Sequence, residues 1–168
     1  MNIFCTRKLQ TFIAVKKKAD ANLDNPDNWI CQLLAIGGKK CLLFLDKKTL
    51  YCVLILNVKK KDLENISAIF VNEFIEQLRA DKLLTEGIEQ SIREKNIELV
   101  FYETDNDQKT LGTLRDNTHH LQSYLYGKEN KLASANHFRK SSINHIILGS
   151  RQYYKALELM QIEMQLTR

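Results

Sequence analysis

The strongest constraint on the fold is an apolar run over residues 31–56, which two short basic breaks divide into three segments. The first break contains Gly37-Gly38, a pair that tolerates the positive φ angles of a type I′ hairpin turn. The second contains Lys47-Lys48, which we expect to form a two-residue turn. Each segment has the length of one strand and falls far short of the roughly 20 apolar residues of a membrane span. The run therefore predicts a three-stranded antiparallel meander.

Helical patterns surround this meander. Its strands are almost continuously apolar, so we expect both faces of the sheet to be covered. The clearest cover is a helix over residues 61–80, where apolar residues recur every three or four positions. Further strands are predicted over residues 1–5 and 98–103, and further helices over residues 6–15, 85–95, 111–126, 130–141 and 151–166. Because strands concentrate before residue 105 and helices follow, the sequence predicts an α+β fold with an antiparallel sheet and a helical C-terminal half.

Composition limits the classes of protein that fit. With 168 residues, 44% of them hydrophobic, the chain is predicted to form a single domain over residues 1–168. Neither a membrane span nor a secretory signal region is apparent, so we expect a cytoplasmic protein with no membrane partner. The 25 basic and 20 acidic residues give a net charge of +5, which permits anionic partners without requiring them.

The cysteines show neither a metal-ligand spacing nor a disulfide pattern. A two-residue turn at Lys47-Lys48 would pair Leu43 with Cys52 and would leave Cys41 and Cys52 diagonal to each other, about 7–8 Å apart. That separation is too long for an easy disulfide. We therefore predict no metal, no cofactor and four reduced, buried thiols, at Cys5, Cys31, Cys41 and Cys52.

Three strings in the chain resemble family motifs. Residues 3–9 end in Cys-Thr-Arg-Lys-Leu, residues 29–63 hold Trp29 and the apolar hairpin with its basic exit, and residues 111–116 read Leu-Gly-Thr-Leu-Arg-Asp. In this order they resemble an uncharacterised family of small bacterial proteins defined by a domain of unknown function, whose third motif reads Leu-Gly-Ser-Met-Asn-Asp. Residues 143–149 are similar to a family segment with Asn-Arg followed by proline, but that arginine and proline are absent here. The resemblance implies a compact α+β fold and no established activity.

Asp116, His119 and His120 are the strongest candidates for catalysis. On a helix, the carboxylate of Asp116 can reach the imidazole at either of the other two positions. The group could contribute to a metal site, or the carboxylate could orient a histidine as a general base. The alternative is a solvated helix surface, because only His137 and His145 remain to complete a ligand set.

Gly112 suggests an anion site. If it opens a helix, the free N–H groups of the first turn could hold a phosphate. The alternative is that Gly112 allows the helix to pack closely on the sheet, with Thr110 or Thr113 as its N-cap. Because Lys8 belongs to another family-like string, convergence of the two strings would indicate a ligand site made of Lys8, Gly112, Thr113 and Asp116.

Five lysines are predicted to meet at one end of the meander. The first hairpin turn and the exit of the third strand lie at the same end of such a sheet, next to the positive N-terminus of the 61–80 helix. This end could bind phosphates or an acidic partner. The alternative is that the lysines keep the sheet soluble and prevent edge pairing. The lysines are Lys39, Lys40, Lys59, Lys60 and Lys61.

The C-terminal helix has an apolar seam at Tyr153, Leu157, Met160 and Met164. Such a seam could form a homodimer or bind a partner helix through residues 151–166. It could equally pack on its own domain.

The sequence lacks a complete catalytic set, which leaves open whether the protein is an enzyme. The first hypothesis is a non-enzymatic binding or protein-interaction protein. The second is a nucleic-acid-binding protein that uses the five lysines. The third is a hydrolase or nuclease that uses Asp116, His119 and His120.

Overall fold

The computed structural model describes residues 1–14, 27–146 and 154–166. Its strands are β1 (Asn2–Cys5), β2 (Asn28–Ile36), β3 (Lys39–Asp46), β4 (Cys52–Ile55) and β5 (Val100–Tyr102). Its α-helices are α1 (Arg7–Ile13), α2 (Ile66–Ala80), α3 (Glu86–Glu94), α4 (Gln108–Leu125), α5 (Lys131–Ser141) and α6 (Ala156–Leu166). Two 3-10 helices lie at Lys60–Asn65 and Ile143–His145. The α+β class and the helical C-terminal half are therefore confirmed.

The sheet is mixed, with strand order β4-β3-β2-β1-β5. The meander β2-β3-β4 is antiparallel, as predicted. In contrast, β1 pairs in parallel with both β2 and β5, so that Ile3 lies opposite Trp29 on one side and Phe101 on the other. The parallel pairs are possible because the connections before β2 and β5 are long enough to return the chain to the end of the sheet at which β1 begins.

The first hairpin has the predicted geometry. Gly37 and Gly38 have φ angles of 56° and 74° and form a two-residue connection between Ile36 and Lys39. Positive φ at both central positions is the signature of a type I′ turn, which glycine adopts without steric cost.

The second hairpin differs from the prediction by two residues in register. Leu43 lies opposite Leu54, and Cys52 lies opposite Leu45 rather than Leu43. The connection is longer than a two-residue turn because the Asp46 carboxylate accepts two hydrogen bonds from Thr49. One comes from the backbone N–H of Thr49 at 2.8 Å, and the other comes from the Thr49 hydroxyl. This side-chain turn spans residues 46–49, and the Asp46 N–H closes the longer loop of residues 47–50 by donating to the carbonyl of Tyr51 at 2.9 Å.

Helices cover both faces of the sheet. On one face, α1, α2 and α3 pack over Ile3, Trp29 and Phe44. On the other, α4 and α5 pack over Phe4, Ile30 and Leu43. The alternation of neighbouring residues between the two cores explains why the strands show no polar face in the sequence.

Several helix boundaries depart from the prediction, among them the start of α6 at Ala156 rather than at residue 151. The segment Lys60–Asn65 is a 3-10 helix, and the α-helix begins only at Ile66. Helix α4 begins at Gln108, three residues before the predicted start, because the Asp107 carboxylate caps the backbone N–H groups of Lys109 and Thr110.

All four cysteines are free and buried, as predicted. Burial raises the pKa of the Cys5 thiol to about 12. Burial also raises the pKa of Cys31 and Cys52, so these thiols remain protonated and behave as small apolar side chains. Among the helices in the described ranges, none combines the length and the apolar character needed to cross a bilayer.

Candidate functional site

Several lysines lie at the end of the sheet that carries the first hairpin turn. The backbone N–H of Val58 donates to the carbonyl of Lys40 at 2.7 Å, which fixes the exit of β4 beside the start of β3. Lys59, Lys60 and Lys61 follow directly. The five predicted lysines therefore lie at the same end of the sheet.

The connection between α4 and α5 brings two further lysines to this end. A Cβ built on Gly37 would lie 3.5 Å from the Cβ of Lys131, so the hairpin turn contacts the first residue of α5. Lys128 lies three residues earlier in the same connection, with its ammonium group 5.6 Å from the ring centroid of Tyr124. We call the seven residues together the lysine end. It consists of Lys39, Lys40, Lys59, Lys60, Lys61, Lys128 and Lys131.

The charge of the lysine end is not neutralised by the described part of the chain. None of its seven ammonium groups forms an ion pair with a carboxylate among residues 1–14, 27–146 and 154–166. Three carboxylates lie within three residues of these lysines along the chain, at Asp62, Glu64 and Glu129. Unpaired like charges close together produce a positive potential that favours an anionic partner.

The opposite end of the sheet provides a contrast. There Lys47 pairs with Asp105 and lies 3.4 Å from Asp107, and Lys48 pairs with Glu163 at 2.6 Å. Both hairpin ends thus carry lysines, but those of the lysine end form no ion pair with a described carboxylate. Protection of a sheet against edge pairing explains why lysines lie at both ends, but it does not explain why the hairpin lysines form ion pairs at only one of the two ends.

Local contacts position several of these lysines. The ammonium group of Lys40 lies 4.3 Å from the ring centroid of Phe12 in α1, a cation–π contact. The backbone N–H of Lys59 donates to the Asp62 carboxylate at 2.7 Å, which fixes the start of the 3-10 helix. At the start of α5, the Asn130 side chain accepts from the N–H of Ala133 at 3.0 Å. The two helical segments therefore begin at this end with defined caps.

The structure places Asp116, His119 and His120 on the exposed face of α4. Their side chains make no hydrogen bond or ion pair within the described residues, so the carboxylate does not orient either imidazole. In the same part of the chain, no group of three or more His, Cys, Asp or Glu side chains is arranged to hold a metal ion. This geometry is that of a solvated helix surface.

The residues Lys8, Gly112, Thr113 and Asp116 do not form one site. Lys8 is exposed on α1, which packs on the sheet face opposite to that of α4. Gly112 is the fifth residue of α4 and does not open the helix, so its N–H lies within the helical turn. A Cβ at Gly112 would meet no atom within 4 Å, which also argues against close packing at this glycine. Thr113 is buried, and its hydroxyl donates to the carbonyl of Lys109.

The seam of the C-terminal helix lies partly against its own domain. Met160 is buried, and Met164 packs against the same core as α2. Leu157 is half-buried, whereas Tyr153 falls outside the described residues. Ile162, with 47% of its surface exposed, lies off the seam. A homodimer through residues 151–166 stays a prediction.

A buried polar cluster around Asp81 has no signature in the sequence spacing. The Oδ2 atom of Asp81 accepts from the Tyr51 hydroxyl at 2.5 Å, from Asn144 Nδ2 at 3.0 Å and from Gln77 Nε2 at 3.1 Å. Burial is the main cause of the raised pKa of the Tyr51 phenol, and the adjacent Asp81 carboxylate raises it further. This hydroxyl therefore stays protonated and donates its hydrogen bond. His145 lies 3.3 Å from Oδ1. The partners come from α2, the second hairpin and the 3-10 helix after α5.

The same cluster covers the free edge of β4. Asn144 accepts from the N–H of Cys52 at 2.7 Å and donates to its carbonyl at 3.1 Å, as a neighbouring strand would. Arg139 donates to the carbonyl of Leu54 at 3.0 Å and pairs with Glu73. The side chains therefore satisfy an edge that would otherwise offer its backbone to another chain. This is a structural role, since each donor that contacts Asp81 Oδ2 is hydrogen-bonded to it.

Comparison with protein families places the chain in a family. A family model described as a domain of unknown function, DUF6933, matches residues 2–159. No curated protein matches the chain, and no solved structure matches it.

Proposed function

The chain belongs to the family defined by the domain of unknown function DUF6933, and we propose that it is a non-enzymatic protein that binds nucleic acid through the lysine end. The observation that carries the proposal is the convergence of seven lysines without a carboxylate partner among the described residues. Phosphates along a nucleic-acid backbone supply a row of negative charges that such a positive surface attracts.

Two features support a binding role over catalysis. The residues best suited to acid–base chemistry, Asp116, His119 and His120, are exposed on α4 without partners that would orient them. The buried titratable groups near the second hairpin, Asp46 and Asp81, are held by hydrogen bonds that stabilise the fold. A cluster of surface lysines, in contrast, needs no buried cleft to bind a polyanion.

Charge reversal tests the proposal. We expect the triple variant Lys39→Glu, Lys60→Glu and Lys131→Glu to lose at least about 100-fold in affinity for nucleic acid, since three phosphate contacts become repulsive. Lys60 and Lys131 begin helical segments, where glutamate is favourable, so the variant should fold. The measurement is fluorescence anisotropy of labelled oligonucleotides at low salt.

A control carries Lys95→Glu and Lys109→Glu, which change exposed lysines at the C-cap of α3 and in the first turn of α4, away from this end. Its affinity for nucleic acid should lie within about threefold of that of the wild-type protein, because salt screens charges that lie far from the bound strand. Equal losses in the two variants, or no binding by the wild-type protein, would contradict the proposal. Binding of acidic polypeptides with no binding of nucleic acid would also contradict it and would indicate a protein partner.

A further inference from the structure

An uncovered aromatic ring lies at the end of α4, two residues before Lys128 of the lysine end. Tyr126 is 89% exposed, compared with 46% for Tyr154 and 47% for Ile162, the other large exposed hydrophobic residues of the described ranges. It occupies the C-cap position of α4 in extended backbone, and its N–H donates to the carbonyl of Ser123. The hydrogen bond fixes the main chain at Tyr126, and the high exposure leaves the ring accessible from solvent.

The surroundings of Tyr126 combine charge with aromatic surface. Two residues later, Lys128 lies over the ring of Tyr124. Tyr124 in turn stacks on His137, with ring centroids 6.4 Å apart and an interplanar angle of 21°. Lys131 follows in the chain and contacts the hairpin turn at Gly37. The exposed ring therefore lies two residues before Lys128, in the segment that leads to Lys131, and neither lysine has a carboxylate partner among the described residues.

This combination fits an unpaired strand better than a duplex. A base can stack on an aromatic ring only when it is free of its neighbours, and each such contact contributes about 1–3 kcal/mol. In a duplex the bases are stacked on one another, so their faces are not available to a tyrosine ring. An exposed tyrosine therefore favours single strands, while lysines alone favour neither form.

We infer that the lysine end binds single-stranded nucleic acid, with one base stacked on Tyr126 and the adjoining phosphates held by Lys128, Lys131 and Lys39. The inference rests on the proposed nucleic-acid binding and adds the form of the nucleic acid and the residue that recognises it. Because every base presents an aromatic face, binding is expected to depend little on base sequence. DNA and RNA share this chemistry, and the test includes both.

The test compares single-stranded DNA, single-stranded RNA and duplex DNA, each of about 12 nucleotides or base pairs. Tyr126→Ala should weaken binding to the single strands by about 10-fold, which is the loss of one stacked base, and should change duplex binding by less than about twofold. Tyr126→Phe keeps the ring and should retain the wild-type affinity. Tyr154→Ala removes an exposed tyrosine outside the lysine end and serves as the matched control.

The outcomes separate this inference from the proposal on which it rests. If Tyr126→Ala binds single strands as well as the wild-type protein does, whereas charge reversal abolishes binding, the stacking inference is overturned and the lysine end remains a phosphate-binding surface. Tighter binding to duplex than to single strands overturns it as well. Absence of binding to all three nucleic acids overturns both.

Discussion

Replacing Asp81 with alanine is expected to lower the free energy of unfolding by about 3–5 kcal/mol. The side chain of Asp81 is fully buried, and its Oδ2 atom accepts hydrogen bonds from Tyr51, Gln77 and Asn144. The variant would leave these donors buried with one partner fewer, and each unsatisfied group costs about 1–3 kcal/mol. Urea denaturation followed by the fluorescence of Trp29, the single tryptophan, measures the loss.

Two companion variants sharpen this test. Asp116→Ala removes an exposed carboxylate without a side-chain partner and should change stability by less than about 0.5 kcal/mol. Asp81→Asn keeps the shape and one acceptor but places an amide among donors, so its cost should fall between those of the two alanine variants. A loss below about 1 kcal/mol for Asp81→Ala would show that the cluster does not hold the edge of β4 in place.

Replacing Phe70 with alanine is expected to cost about 3–5 kcal/mol through loss of core packing. Phe70 is completely buried, and its ring centroid lies 4.8 Å from that of Phe44, 5.3 Å from Trp29 and 5.9 Å from Phe74. It therefore joins α2 to the centre of the sheet. The variant should also change the near-ultraviolet circular dichroism, because the rings packed around Trp29 would lose their fixed arrangement.

The controls for Phe70 vary the size of the cavity. Phe70→Leu fills most of the space and should cost clearly less than the alanine variant. Ile162→Ala alters an apolar side chain that is 47% exposed and should cost less than about 1 kcal/mol. Equal losses for Phe70→Ala and Phe70→Leu would contradict the view that this ring fills the core between α2 and the sheet.

Local patterns predicted the meander and most helices. The Gly37-Gly38 pair specified the first hairpin, because its turn geometry depends on two adjacent residues. The second hairpin was mispredicted in register, since the turn depends on the Asp46 carboxylate that holds Thr49. The parallel pairing of β1 with β2 and β5 was not predictable from periodicity, because strand order is set by tertiary packing.

The candidate site divides in the same way. Five lysines could be placed together from the sequence because they border strands of one meander. Lys128 and Lys131 were missed, since only the packing of α5 brings them to the hairpin turn at Gly37. The exposure of Tyr126 and the burial of Asp81 were missed as well, because neither residue differs by local spacing from an ordinary helix-end residue.

The salt dependence of nucleic-acid binding tests the central claim most directly. A single strand that contacts four to seven lysines should give a slope of about −3 to −5 for log K against log salt, at about −0.7 per neutralised phosphate. In the Lys39→Glu, Lys60→Glu and Lys131→Glu variant, any residual slope should be smaller by about 2. A wild-type slope near zero, or the same slope in both proteins, would contradict binding through the lysine end.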